Sequence, residues 1–459
     1  MRFWAALFLV VACWNLVPGL ARAGEGDRLV ILRDAETEET LRRLATPVFK
    51  AAGIEPEAVK LIIVKDPSVN AFVAGGPNLF LHMGLLEATP TPEQLLGVIA
   101  HETGHMAGGH LARGSEALRN ARIETIVGIL AGLAAGVTTG HGEMLGAALG
   151  GAQTVATRSL LSFSRDQEGS ADAAALTYLD AVGVSAKEFL AFMQTLKGQE
   201  DIPLDRQAPY LRTHPLTHER MDAVAAHLQR TKVSPDARLG PAFAARHARM
   251  EAKLRGYLHA ERVLQETKDR PNLEVPALYA RALALEQTGQ LAPALSAVDR
   301  LLQKAPEDPY FHELRGQMLF EKGHVDESLS DYAAAAKALS RAALIRAAYG
   351  HALLESTTPN HLDRAISELT AASGQEGETP ETWHLLAAAW GQKGAQTNDP
   401  VDRGQAAYAL AEEANAEGRT QDAKRFLAQA LRLLPEGSPT RLRAQDLHMD
   451  VNSASHTDE

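Results

Sequence analysis

The spacing of two glycines constrains this chain more than any other feature. Gly289 and Gly323 lie 34 residues apart, and each is followed five positions later by a small side chain, Ala294 and Ser328. Gly418 and Ala423 repeat the relation further on, and Pro306 and Pro435 each fall 17 residues past their own glycine. Glycine allows the backbone turn between two helices, and a small residue five positions on lets the second helix pack closely against the first. "HLLAAAWGQKG", residues 384 to 394, reads as another first helix, and Ala365 fits the small position after a short insertion. The period is that of a tetratricopeptide array. About four repeats with flanking helices are expected in the alanine- and leucine-rich region after residue 235. Such arrays form concave surfaces that hold protein partners. A plain helical bundle is the alternative.

Ahead of this region, "IAHETGHMAG" places His101 and His105 four residues apart, with Glu102 beside the first. Four residues are about one helical turn, so both imidazoles share a face and could hold one zinc ion. Glu102 lies about 100° further round, which suits a carboxylate that takes a proton from water rather than binding the metal. Thr91 is a cap candidate, and the run after Pro92 is apolar and free of proline, so a buried helix is expected. A catalytic site needs a third protein ligand. The pattern with a histidine six residues past the second fails, because that position is Leu111. His110 falls one residue short, about 140° round from His105. It can be read as a ligand, as a surface residue, or as a residue behind a ligand.

A later carboxylate is the other route. "SFSRDQEGSADAAALTYL" offers Glu168 with Asp172 four residues on. On one helical face Glu168 could bind the metal while Asp172 accepts a hydrogen bond from a ligand histidine. Two acids in the first turn of an exposed helix would read the same way. In "THPLTHER" the residues alone allow His214 to cap a turn at Pro215 and Arg220 to lie on the helix that follows.

"HETGH", then "SRDQEGSAD" and "THPLTHER", together resemble the gluzincin peptidase family of HtpX and the CAAX prenyl proteases, and the likeness extends through "NAFVAGGPNLFLHMGLL". The resemblance implies a zinc metalloendopeptidase with one Zn2+ per chain. His101, His105 and Glu168 would be its metal ligands, Glu102 the general base, and Asp172 the carboxylate behind a ligand. It leaves His214 two roles: a fourth ligand in a resting state, or, with Arg220, a donor to the scissile carbonyl. It makes "NLFLHMG" an edge strand beside the cleft, where substrate would add as a strand. In the branch of the family that carries a repeat domain, it implies that misassembled outer-membrane β-barrel proteins are degraded and their assembly assisted, in contact with the barrel-assembly machinery. The alternative is an assembly factor whose proteolysis is largely autoinhibited.

The expected fold is mostly α: a helical zinc-metallopeptidase domain with a small β-sheet, followed by an α-solenoid of tetratricopeptide repeats. "DAETEETLRRLATPVFKAAG" reads as a helix stopped by Gly53, and "KLIIVKD" and "NLFLHMG" as strands. The boundaries are a signal peptide at 1–23, the peptidase domain at 24–235, the repeat domain at 236–440 and a polar tail at 441–459. The leader has an early Arg2, an apolar stretch and Ala21 and Ala23 before Gly24. It implies export, and together with the family resemblance a periplasm as the destination. The only cysteine, Cys13, lies inside the leader, so the mature chain forms no disulfide; a lipoprotein signal at Cys13 is the other reading. Without the leader, 44 basic residues face 57 acidic ones, a net charge of −13, which excludes nucleic acid as a natural partner. Residues 123–157 are apolar and glycine-rich, but their firmly apolar part is short of the roughly 20 residues a bilayer needs. They read as a hairpin that touches a membrane peripherally, or as an ordinary buried one.

Overall fold

The computed structural model describes residues 30–110, 165–198, 208–374 and 379–456. The expected leader, with Cys13, and the hairpin at 123–157 lie outside the described residues. Those described belong to one compact unit. Among them no helix is long and apolar enough to cross a membrane.

Near the start, β1 (Ile31–Leu32) leads into α1 (Ala35–Ala51). Asp34 caps this helix, accepting from the Thr37 N–H at 2.8 Å, and Glu36 and Glu38 fill the first turn. Its core face is Leu41, Leu44, Ala45, Val48 and Phe49, spaced by three and four. Strands β2 (Lys60–Val64), β3 (Ala71–Val73) and β4 (Asn78–His82) complete a sheet of order β1-β2-β4-β3. β2 and β4 run parallel, Lys60 beside Asn78 and Val64 beside His82, while β3 returns antiparallel to β4. The run "NLFLHMG" is therefore an inner strand and not the edge that the family resemblance implied. The glycines at 75 and 76 have φ of 65° and 99°, folding "NAFV" back on β4, and this short segment forms the edge instead. Phe72 stacks on Phe80 across the pair at 4.7 Å.

After α2 (Met83–Ala88) comes the central helix α3 (Pro92–Ala107). Thr91 caps it, accepting from the Gln94 N–H at 3.3 Å, and Pro92 stands in the first turn, where no intrahelical donor is lost. From Leu95 to His105 every residue is buried, so the helix is enclosed on all sides. Two glycines permit this. A Cβ at Gly97 would come within 2.6 Å of Phe189, and one at Gly104 within 2.7 Å of the Ala171 carbonyl oxygen. α3 thus lies nearly backbone to backbone with α4 (Arg165–Val182) and is covered by α5 (Lys187–Lys197). The short α6 (Pro209–Thr213) and α7 (His218–Leu228) follow.

α8 (Pro241–Leu258) belongs to two cores. Its Met250 and Leu254 join the core around α3, while Ala252 packs with Ala280 and Ala284. Beyond α9 (Ala260–Thr267) the helices pair: α10 (Val275–Gln287) with α11 (Leu291–Lys304), α12 (Pro309–Glu321) with α13 (Val325–Ala338), and α14 (Ala343–Glu355) with α15 (His361–Ala372). α16 (Pro380–Thr397) then precedes the pair of α17 (Pro400–Ala416) and α18 (Thr420–Leu433), and α19 (Pro439–His456) closes the series. Gly289, Gly323 and Gly418 turn the chain between paired helices at φ of 75°, 82° and 72°. Ala294, Ser328, Ala365 and Ala423 are fully buried, as the repeat pattern predicts. The segment read as another first helix is helical, and α16 packs on α17 as extensively as α17 packs on α18, so the helix before Gly418 has a close neighbour on either side.

A buried ionic cluster ties the repeats to the N-terminal part. Arg249 of α8 binds Glu36 at 2.6 Å and also pairs with Asp308, the cap of α12. Tyr279 of α10 donates to Glu36 at 2.7 Å, and Lys253 pairs with Asp34. The Arg249 guanidinium also lies over the Phe311 ring at 4.4 Å. Removing one member of such a set leaves buried charge without a counter-charge. Arg249→Met is expected to lower unfolding free energy by about 3 kcal/mol, whereas Arg262→Ala, which breaks an exposed pair with Glu266, should cost less than about 1 kcal/mol. Denaturant unfolding followed by helical signal checks this; equal effects from both substitutions would show that the cluster does not hold the two parts together.

Candidate metal centre

Four side chains from three stretches of chain meet beside α3. His101 and His105 are one turn apart on it, Glu168 comes from the first turn of α4, and His214 follows α6 just before Pro215. All four are buried, and one ligand atom from each lies within 4.8 Å of the other three. His101 Nε2 is 3.1 Å from His105 Nε2 and 3.3 Å from His214 Nδ1. Glu168 Oε1 is 3.3 Å from His105 Nε2 and 3.0 Å from His214 Nδ1, and its Oε2 is 3.5 Å from His101 Nε2. Ligands held about 2.0–2.1 Å from a tetrahedral ion stand about 3.3–3.4 Å from one another, so this set has the spacing of a tetrahedral metal shell. Ring nitrogens that face each other share at most one proton per pair. A cation among them is what turns this crowding into attraction.

The charges agree with that fit. With the imidazoles neutral, Glu102, Glu168 and Asp172 oppose Arg220 alone, and a divalent cation balances the remainder. His101 Nδ1 is 2.8 Å from Asp172 Oδ1, which fixes the ring with Nε2 turned to the shell. Arg220 grips Asp172 with both sides of its guanidinium, Nε at 2.6 Å and Nη2 at 2.9 Å. Its Nη1 reaches Glu168 Oε2 at 2.6 Å and the Pro215 carbonyl oxygen at 2.9 Å. The guanidinium is therefore spent on the two carboxylates and the loop that carries His214. Thr217 caps α7 by accepting from the Arg220 N–H at 3.3 Å, which places this side chain at the start of its helix.

Glu102 is fully buried, and neither of its oxygens takes a hydrogen bond; His214 Nε2 is 3.4 Å from Oε1. Burial raises its carboxyl above the usual carboxylate range, against the charges of His214 and His101. Burial opposes a charge on His101, yet the carboxylates of Asp172 and Glu168 outweigh it and push this imidazole up to about 9. Burial carries His105 the other way, to about 3, against its contact with Glu168. Despite its burial, Glu168 is held far below the ordinary range by the three imidazoles.

His110 lies outside the four-atom set, buried, with its Nδ1 3.0 Å from His105 Nδ1. Tyr210 was not among the residues singled out from the sequence. Its ring stacks on His214 at 4.5 Å, and its only sequence signal is its place four residues before that histidine.

Residues 32–228 match the model of peptidase family M48. The beta-barrel assembly-enhancing protease of Yersinia pestis is 23% identical over 343 residues, 74% of this chain and 69% of that protein. The protein of the same name from Escherichia coli (strain K12) is 24% identical over 383 residues, 83% of this chain and 76% of that one. Among solved structures, MamA MSR-1 C2 aligns at a TM-score of 0.30 with 17% identity, over 38% of this chain and 98% of its own.

His101 holds a proton below about pH 9, and that proton must leave before Nε2 can bind a cation. Metal affinity should therefore climb by up to about tenfold per pH unit as pH rises toward that value, then level off. Titrating the metal-free protein with Zn2+ against a chromogenic chelator at several pH values measures it; an affinity that stays flat from neutral pH to about 9 would contradict the assignment.

Proposed function

We propose, from the match of residues 32–228 to the model of peptidase family M48, that the chain is a zinc-dependent endopeptidase joined to a partner-binding array of tetratricopeptide repeats. The observation that carries this reading is the tetrahedral spacing of four buried ligand atoms with a carboxylate free of hydrogen bonds beside them. His101, His105 and Glu168 would hold one Zn2+, which would supply Lewis-acid chemistry to a peptide carbonyl and to water. Glu102 accepts the proton of that water, and its raised carboxyl suits a group that takes a proton and later returns it to the leaving amine. Asp172 holds the tautomer of His101. Arg220 positions Asp172 and Glu168 rather than the substrate, since its donors are engaged with them.

His214 is the resting ligand in this reading. With His214 as a fourth protein ligand no position would be left for water, so His214 would have to withdraw before turnover. The substrate adds as a strand along the edge strand β3, which packs near α3. The names of the two relatives speak of a protease and of β-barrel assembly, and that supports a role in β-barrel assembly; in our reading the substrates are outer-membrane β-barrel proteins and the repeats engage the barrel-assembly machinery in a periplasm. A leader at 1–23, a peptidase domain at 24–235 and a repeat domain at 236–440 form the working division of the chain.

The test is cleavage of unfolded casein by the zinc-loaded protein. A chelator should abolish it and added Zn2+ restore it. Glu102→Gln should keep the metal and lose about 10²–10⁴-fold in rate. His214→Ala should raise the rate; a loss of about 10²-fold would instead make His214 a donor to the developing oxyanion. Zinc binding without cleavage in any variant would sink the peptidase reading and leave the array as the working part.

A further inference from the structure

The sequence leaves the role of His110 open, and the way α3 ends supplies it. The helix stops at Ala107, and the Gly108 N–H donates back to the Gly104 carbonyl at 2.9 Å. Gly109 has φ of +61°, a left-handed conformation that costs glycine little and other residues more, and its N–H donates to the Met106 carbonyl at 3.2 Å. The chain thereby doubles back, and the His110 ring comes to rest over Gly108. A Cβ built at Gly108 would lie 2.5 Å from His110 Nε2 and 2.9 Å from Cδ2 and Cε1. The ring occupies the space that a side chain at position 108 would need. The Gln167 side chain reaches the His110 carbonyl oxygen at 3.5 Å and so links this turn to the residue next to Glu168.

In this position His110 is 5% exposed, its Nδ1 is 3.0 Å from His105 Nδ1, and the two rings meet at 76°. We propose that His110 is the positioning residue for His105, delivered by the Gly108–Gly109 turn, and that it fixes the tautomer in which His105 offers Nε2 to the metal. This inference rests on the metal-centre reading above. A ligand imidazole that binds through Nε2 is neutral and carries its proton on Nδ1. The facing nitrogen of His110 lies 3.0 Å away, within reach of that proton, so in this assignment His110 Nδ1 is the acceptor and its own proton sits on Nε2. The two ligand histidines of α3 are then steered differently. Asp172 faces Nδ1 of His101, while another imidazole, that of His110, faces Nδ1 of His105. A carboxylate in place of His110 would add a fourth negative charge to a buried group that already holds Glu102, Glu168 and Asp172, at a cost that an imidazole avoids.

The experiment measures the apparent zinc affinity of the full-length protein by competition with a chromogenic chelator, with thermal unfolding of the metal-free forms and the absorption spectrum of the cobalt-loaded forms as companions. His110→Ala should bind zinc about 10–100-fold more weakly, the usual cost of losing a partner behind a metal-bound histidine. His110→Gln, whose amide oxygen can accept from His105 Nδ1, should recover most of that loss with an unchanged cobalt spectrum. Gly108→Ala, which touches no ligand, should weaken binding as His110→Ala does by displacing the ring. All three should unfold near wild type without metal. Zinc affinity within about twofold of wild type in His110→Ala would overturn the proposal. A loss in His110→Ala as deep as in His105→Ala, with a cobalt spectrum showing one ligand fewer, would overturn it too, by making His110 a ligand. Unchanged affinity in His105→Ala would instead overturn the metal-centre reading beneath it.

Discussion

Ligand atoms that repel one another have to be held together before any metal arrives, and the remainder of the N-terminal part is organised to do this. Three imidazole nitrogens and a carboxylate lie within 4.8 Å of one another, several pairs at 3.0–3.5 Å, in a site whose side chains are buried. Nothing in the side chains themselves brings them together. The force comes from burial: α3 is enclosed over eleven consecutive residues from Leu95 to His105, so its two histidines have no freedom to turn away. Gly97 and Gly104 are the condition for that enclosure, because a side chain at either would push Phe189 or the backbone of α4 outward. Glu168 stands one turn from Asp172 on α4, so the packing that fixes the ligand also fixes the carboxylate behind His101.

The same helix system reaches the repeat array through charge rather than through apolar surface alone. α1 packs its Leu41 and Phe49 face in the core around α3, while the acids at its start, Asp34 and Glu36, are bound by Lys253 and Arg249 of α8 and by Tyr279 of the first repeat. Burying these groups is costly, and the cost is met only if every partner is in place. Such a contact specifies one relative position of α1, α8 and the first two helix pairs. An apolar interface of equal size would tolerate sliding. The placement of α1, and hence of one wall around α3, is therefore linked to the seating of the array.

Local periodicity made part of this legible in the sequence. Four-residue spacings put His101 with His105 and Glu168 with Asp172 on common faces, and Thr91 with Pro92 marked where the central helix begins. The glycine and small-residue spacing located the helix pairs. What escaped depends on how distant segments pair. The sheet order was misjudged because "NAFV" is too short to declare itself, and only the turn at Gly75 and Gly76 folds it onto β4 as the edge. Tyr210 has no motif and matters only because α6 sets it against His214. For Arg220, the family resemblance implied a donor toward substrate, whereas the fold turns its guanidinium onto two carboxylates contributed by another helix.

His214 concentrates the functional question in one ring. Its Nδ1 completes the ligand set and its Nε2 lies 3.4 Å from Glu102, so in this position it meets both the metal shell and the base. It therefore stands where the attacking water and the scissile carbonyl would have to meet. Its support is unequal: Tyr210 stacks on one face, but the ring sits at the end of a five-residue helix and before a proline, whereas His101 and His105 are embedded in α3. Of the four ligands it has the shortest element behind it. On the proposed metal centre, the ligand carried by the shortest element is the one whose movement would disturb the other three least.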